Sequence, residues 1–250
     1  MPKSSRGGVR GGGGGAVSGV QGAGTPSGVS YNMFMQMDKD ERYDTMASIL
    51  RDPNIKVPDS LDKSDTTKIL YALGMDGKPT VVSDARLDSK NGTEVFMTVS
   101  DQRSGGKTTT SGDRINSIKT DKFVAMESDR NSRYSRGLQF EDSVSNSASS
   151  QTVTQNPEMI RAKIKPNAKI ADYYTLANDS AYRRTGADYY DKVAVNALAN
   201  GYDGWKTGSG TYVILNRSAL NVSSTTKKLP GNVRQRPLAK DATWNNFQQK

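Results

Sequence analysis

The chain has 250 residues, 34% of them hydrophobic, and a mean hydropathy of −0.71, which allows one modest core but not a core along its whole length. It holds neither cysteine nor histidine, which excludes disulfides, thiol nucleophiles, ordinary zinc sites and histidine acid–base chemistry. The net charge of +9 belongs mainly to the ends: Lys3, Arg6 and Arg10 face no acid in residues 1–30, and six basic residues face only Asp241 in residues 223–250, so the middle of the chain is close to neutral.

Residues 1–30 are low in complexity and rich in glycine, which maximises chain entropy and brings nothing to bury, so the sequence predicts a disordered basic arm. Two Arg-Gly-Gly units, at Arg6 and Arg10, are of the kind that binds RNA by stacking and phosphate contact. Residues 31–60 read as a helical lead-in. Asp38 is placed to cap a helix over 38–51 whose apolar face is Tyr43, Met46, Ile49 and Leu50, and Asp52-Pro53 stops it. Ser64 caps a second helix that Gly74 closes at 64–73. Residues 80–82 read as a short strand, with Leu87 the apolar anchor of the polar stretch after it, and 93–99 as a longer strand. Ser100 to Gly112 reads as a polar loop. Its Gly106-Lys107-Thr108 lacks the spacing of a phosphate loop, because Asp101 stands at the first glycine position.

A helical turn at 114–119, a strand at 122–126 and a short apolar piece at 136–140 follow. Residues 158–165 alternate apolar and polar as a half-buried strand does, and 168–170 begin another extended segment. Residues 172–184 read as a partly helical insertion. An amphipathic helix over 188–199 ends at Asn200-Gly201, and 211–215 form a β-branched run suited to a central strand, with Leu220 and Val222 closing the core. The sequence from 223 to 250 reads as a basic tail in which Trp244 and Phe247 either dock back or meet a partner. No apolar run approaches the roughly 20 residues of a membrane helix, and no secretory leader is evident. The composition fits an intracellular location.

Several pieces carry a resemblance in their order and spacing: Lys78-Pro79-Thr80-Val81-Val82, Glu94-Val95-Phe96-Met97-Thr98-Val99, Tyr134-Ser135-Arg136-Gly137-Leu138-Gln139-Phe140, Met159 to Ile164 with Asn167 to Ile170, and Asn200-Gly201-Tyr202-Asp203 before Tyr212 to Leu220. Together they resemble the ADP-ribosyltransferase-like domains carried by bacteriophages and prophages, over residues 61–222, with both tails outside. The resemblance implies an α+β fold of two small, mostly antiparallel sheets packed together with flanking helices and a nicotinamide dinucleotide cleft between them. It implies NAD as a substrate, no metal, and cofactor contacts at Thr98, Ser135, Arg136, Gly137 and Phe140. It also implies an intracellular protein of the host cytoplasm or one associated with the virion.

Two positions depart from the family pattern. Met97 stands where an arginine would hold the diphosphate, and a thioether binds no anion. The segment Thr207 to Tyr212 holds no acid where a glutamate would stabilise the oxocarbenium-like ribose. Asp203 is the nearest upstream carboxylate and the one weak catalytic candidate, with capping of the Gly201–Gly204 turn as its plainer role. Two readings follow. One is a mono-ADP-ribosyltransferase acting on a protein target. The other is an inactive domain of that fold that serves as a binding module or phage assembly component, with basic arms that recruit nucleic acid.

Overall fold

The computed structural model describes residues 25–59, 61–75, 77–104, 107–120, 137–149, 156–229 and 243–246. The expected disordered arm up to residue 24, the strand expected at 122–126, and Phe247 lie outside them.

Two short helices open the chain: α1 (Tyr31–Gln36), capped by Ser30, and α2 (Lys39–Arg51), where Asp38 and Glu41 form a reciprocal capping box. Ser64 caps α3 (Asp65–Ala72) as expected, and Gly74 takes a φ of 61° just past its end. Then come β1 (Thr80–Val82), α4 (Asp84–Asp88), which buries Leu87, β2 (Thr93–Val99), and a hairpin of β3 (Gln102–Ser104) and β4 (Lys107–Thr109). The helical turn expected at 114–119 is a longer helix, α5 (Ser111–Thr120). β5 (Leu138–Glu141), α6 (Val144–Ser149), β6 (Glu158–Ile164), β7 (Ile170–Asp172) and α7 (Tyr173–Asn178) follow. The last third holds α8 (Lys192–Ala199), β8 (Gly204–Lys206), β9 (Thr211–Ile214) and β10 (Leu220–Lys228).

The class is α+β, but the strands do not form two packed sheets. They make one eight-stranded mixed sheet in the order β1-β10-β6-β2-β5-β9-β8-β7, with the β3–β4 hairpin separate. The six inner strands are antiparallel to their inner neighbours, and the two edge strands, β1 and β7, run parallel to β10 and β8. The sheet is continuous because β2 and β5 meet, though only through the pair Phe96↔Glu141, whereas β2 and β6 pair over seven residues.

Successive residues of a strand point to opposite faces, and here both faces are covered. On one face of the middle five strands, Val95, Met97, Phe140, Ile160, Tyr212 and Val222 pack together, with Ile115 and Ile118 of α5 over them. On the other face there are two clusters. The helical layer of α1, α2, α3 and α8 packs on Trp205, Val213 and Leu215 of the β8–β9 half. Phe96 and Met159 of the β2–β6 half meet Val144 of α6, Leu229 and Trp244.

Three sequence-based expectations change. The lead-in helices α1 and α2 belong to the same core as α3 and α8, through Phe34, Tyr43, Met46 and Ile49. The helix expected over 188–199 begins at Lys192, after a single tight turn, and Val193 through Ala199 are all buried, so it is a central helix and not an amphipathic one. Finally, β10 continues to Lys228, six residues into the expected tail; Trp244 docks back onto the core, one of the two readings open to it.

Candidate functional site

The residues singled out from the sequence do not converge. Thr98 and Phe140 lie on opposite faces of the sheet. Phe140 is fully buried among Met97, Ile160 and Tyr212, whereas Thr98 shares the face of Phe96 and meets Ser147 of α6 at 2.9 Å. Met97 is buried in the same cluster as Phe140, so the position expected to hold a diphosphate faces the core. Gly137 sets the approach of β5 to β9: a Cβ there would stand 2.7 Å from Val213 Cγ1 and 3.0 Å from the Ile214 carbonyl. Ser135 and Arg136 lie outside the described residues.

Asp203 joins three segments. Its Oδ2 accepts from the Lys169 backbone N–H at 2.8 Å and its Oδ1 from Asn216 Nδ2 at 2.7 Å. Its backbone carbonyl accepts from Leu215 and Asn216, and its N–H donates to the Lys169 carbonyl. A carboxylate whose two oxygens both hold the fold together is poorly placed to act on a ligand.

What does converge is a seam of polar side chains where the two apolar clusters part. On that face β2 presents Thr98, β5 presents Gln139 and Glu141, β9 presents Thr211, and α6 adds Ser147. Glu141 and Thr211 are a cross-strand pair, and the Thr211 hydroxyl donates to the Glu141 carboxylate, 3.1 and 3.2 Å from its two oxygens. Thr211 is itself the end of a run of hydroxyls in the tight β8–β9 turn. Ser209 Oγ lies 3.4 Å from Thr211 Oγ1, and Thr207 Oγ1 lies 2.8 Å from Ser209 Oγ. The turn needs Gly210, with φ of 92°, because a Cβ there would stand 2.4 Å from Asp142 Oδ2. Burial raises the Glu141 carboxyl above the usual range; the Thr211 hydroxyl works against the rise and the charge of Asp142 adds to it.

Glu141 and Ser147 were not singled out from the sequence. In the sequence Glu141 lies away from the segment where the resemblance needs an acid. Only the pairing of β5 with β9 brings together residues seventy apart.

A groove of about 640 Å³ opens on the opposite face, lined by Thr93, Ile164, Lys165, Asp172, Lys206 and Tyr212. Its polar groups are largely engaged within the protein. Lys165 Nζ donates to the Ser218 carbonyl at 2.6 Å and to Thr80 Oγ1 at 3.2 Å, Asp172 caps α7, and the Lys206 ammonium lies 4.9 Å from the centre of the Tyr212 ring. The seam is the candidate on which the motif strands converge, with Thr98 and Ser147 buried in it and Glu141 and Thr211 half-buried. Among the described residues, no three acids stand together as a metal site would need, and no described helix is long and apolar enough to cross a membrane. No protein-family model, curated protein or solved structure matches the chain.

Proposed function

We propose that the chain is an ADP-ribosyltransferase-like protein that takes NAD along the seam of β2, β5 and β9 and transfers ADP-ribose to a protein target. The reading starts from the motif order described above. The observation that carries it is that three motif strands, adjacent in the sheet, present Thr98, Gln139 and Thr211 on one face, with Glu141 paired to Thr211. Hydroxyl and amide groups suit the ribose hydroxyls and the carboxamide of a nicotinamide nucleotide. A second reading, binding without turnover, is favoured by Met97, whose burial leaves β2 without the diphosphate-binding guanidinium.

One experiment separates them: calorimetric titration with NAD, alongside incubation of the protein with labelled NAD and a host lysate. Saturable binding with label transfer or nicotinamide release supports the transferase reading. Saturable binding with neither supports the second. Absence of binding removes both.

A further inference from the structure

An asparagine followed by glycine is a point where a chain readily attacks itself, because glycine has no Cβ to keep its backbone nitrogen away from the side-chain amide. The sequence holds two such pairs, Asn91-Gly92 and Asn200-Gly201, and the fold treats them in opposite ways. Asn200 is half-buried at the end of α8. Its Nδ2 donates to the Asn196 carbonyl at 2.7 Å, and the Gly201 N–H donates to the Leu198 carbonyl at 3.0 Å, so both reacting groups are tied. Asn91 and Gly92 are exposed in the link from α4 to β2, and they line the groove that Lys165 and Lys206 also line. Among the described residues, no hydrogen bond holds the Asn91 side chain, and no turn or loop hydrogen bond engages the Gly92 N–H. Glycine is also required at this position. Its φ is 132°, and a Cβ would stand 2.0 Å from the Ile164 carbonyl oxygen. The close pass of the link over β6 thus fixes a reactive pair in the open.

We infer that Asn91 is a modification site, which deamidates spontaneously in the folded protein with water as the only co-reactant, while Asn200 is protected. The Gly92 nitrogen bonds to Asn91 Cγ as the Cγ–Nδ2 bond breaks, and the Gly92 amide proton leaves with Nδ2 as ammonia. Water then opens the five-membered imide at one of its two carbonyls: its hydroxyl joins that carbon and its proton returns to the Gly92 nitrogen. Opening at Cγ restores the ordinary backbone, with aspartate at position 91. Opening at the backbone carbonyl gives isoaspartate, whose main chain is one carbon longer. Either product places a carboxylate on the groove, and isoaspartate lengthens the chain just ahead of the Thr93↔Ile164 pair that starts the β2–β6 ladder.

The test incubates the full chain at neutral pH, folded and in urea, and follows both sites by mass mapping of peptides digested in acid, with aspartyl and isoaspartyl forms separated. In the folded protein Asn91 should convert at least about tenfold faster than Asn200, because a tied amide reacts only from locally opened states. In urea the two should convert at similar rates. The rate at Asn91 should rise with pH, since the deprotonated backbone nitrogen is the attacking form. Asn91→Gln, which would have to close a larger ring, should remove the folded-state product and leave the melting temperature unchanged. An Asn91 that stays intact in the folded protein while it reacts in urea overturns the inference. So does equal conversion of the two sites in the folded protein, or failure of both to react in urea.

Discussion

At the scale of single residues, two acids of similar appearance in the sequence have opposite surroundings. Asp203 is satisfied by the fold, with one oxygen on the Lys169 N–H and the other on Asn216. Hydrogen bonds to a charged group contribute roughly 1.5–3 kcal/mol each, and of the two donors Asn216 is half-buried and Lys169 exposed. Asp203→Ala should therefore lower the unfolding free energy measured in urea by roughly 3 kcal/mol. The rate of any NAD reaction by the folded fraction should be unchanged; a selective loss of rate in a fully folded variant would return Asp203 to the site. Glu141 accepts from a single neutral hydroxyl, that of Thr211. The sequence could suggest that Asp203 stabilises a turn, because turn chemistry is local. Its actual partners lie 34 and 13 residues away, and the partner of Glu141 lies 70 away. Contacts made by strand pairing depend on register, which a single sequence does not display.

At the scale of elements, legibility follows the strength of local signals. α2 and α3 are where Asp38 and Ser64 said they would be, because capping is fixed by a few neighbouring residues. β2 and β6 are long enough to show a pattern. β3, β4 and β8 have three residues each, and a run of three has no period to read. β2 also tests the family resemblance. Restoring the arginine expected at position 97 would place a guanidinium where Met97 packs among Val95, Phe140, Ile160 and Tyr212. An unpaired buried charge is unfavourable by several kcal/mol. Met97→Arg is thus expected to lower the melting temperature sharply and to give no gain in NAD affinity. A stable Met97→Arg protein with tighter NAD binding would show that β2 can turn this position toward a ligand, against the burial seen.

At the scale of the whole molecule, the sheet is held together at its narrowest point, the single β2–β5 pair, by what packs across it. α6 lies over that junction, with Ser147 on Thr98 and Val144 in the small cluster that Trp244 completes. The basic tail is therefore not wholly separate from the domain. The Trp244 ring lies 6.3 Å from that of Phe96, and the Lys227 ammonium lies 5.5 Å from the centre of the indole. Trp244 also donates to Asp84, whose carboxylate accepts from Ser223 and Thr225 as well. Burial opposes ionisation of Asp84, but those donors and the charge of Arg161 outweigh it and hold the carboxyl below its usual range. The sign follows from linkage. A carboxylate with a depressed folded-state pKa contributes stability that is present above its unfolded value and is lost as pH falls through the folded one. Trp244→Ala should lower the unfolding free energy by roughly 3 kcal/mol, as removal of a large core ring does. In the Trp205→Phe background, where Trp244 is the remaining indole, its fluorescence should report docking at neutral pH and shift to the red as acid protonates Asp84. In Asp84→Asn that acid shift should disappear. If Trp244→Ala unfolds with wild-type midpoint and slope, the C-terminal segment does not hold the junction, and α6 is kept in place without it, Val144 and the Thr98–Ser147 contact among what holds it.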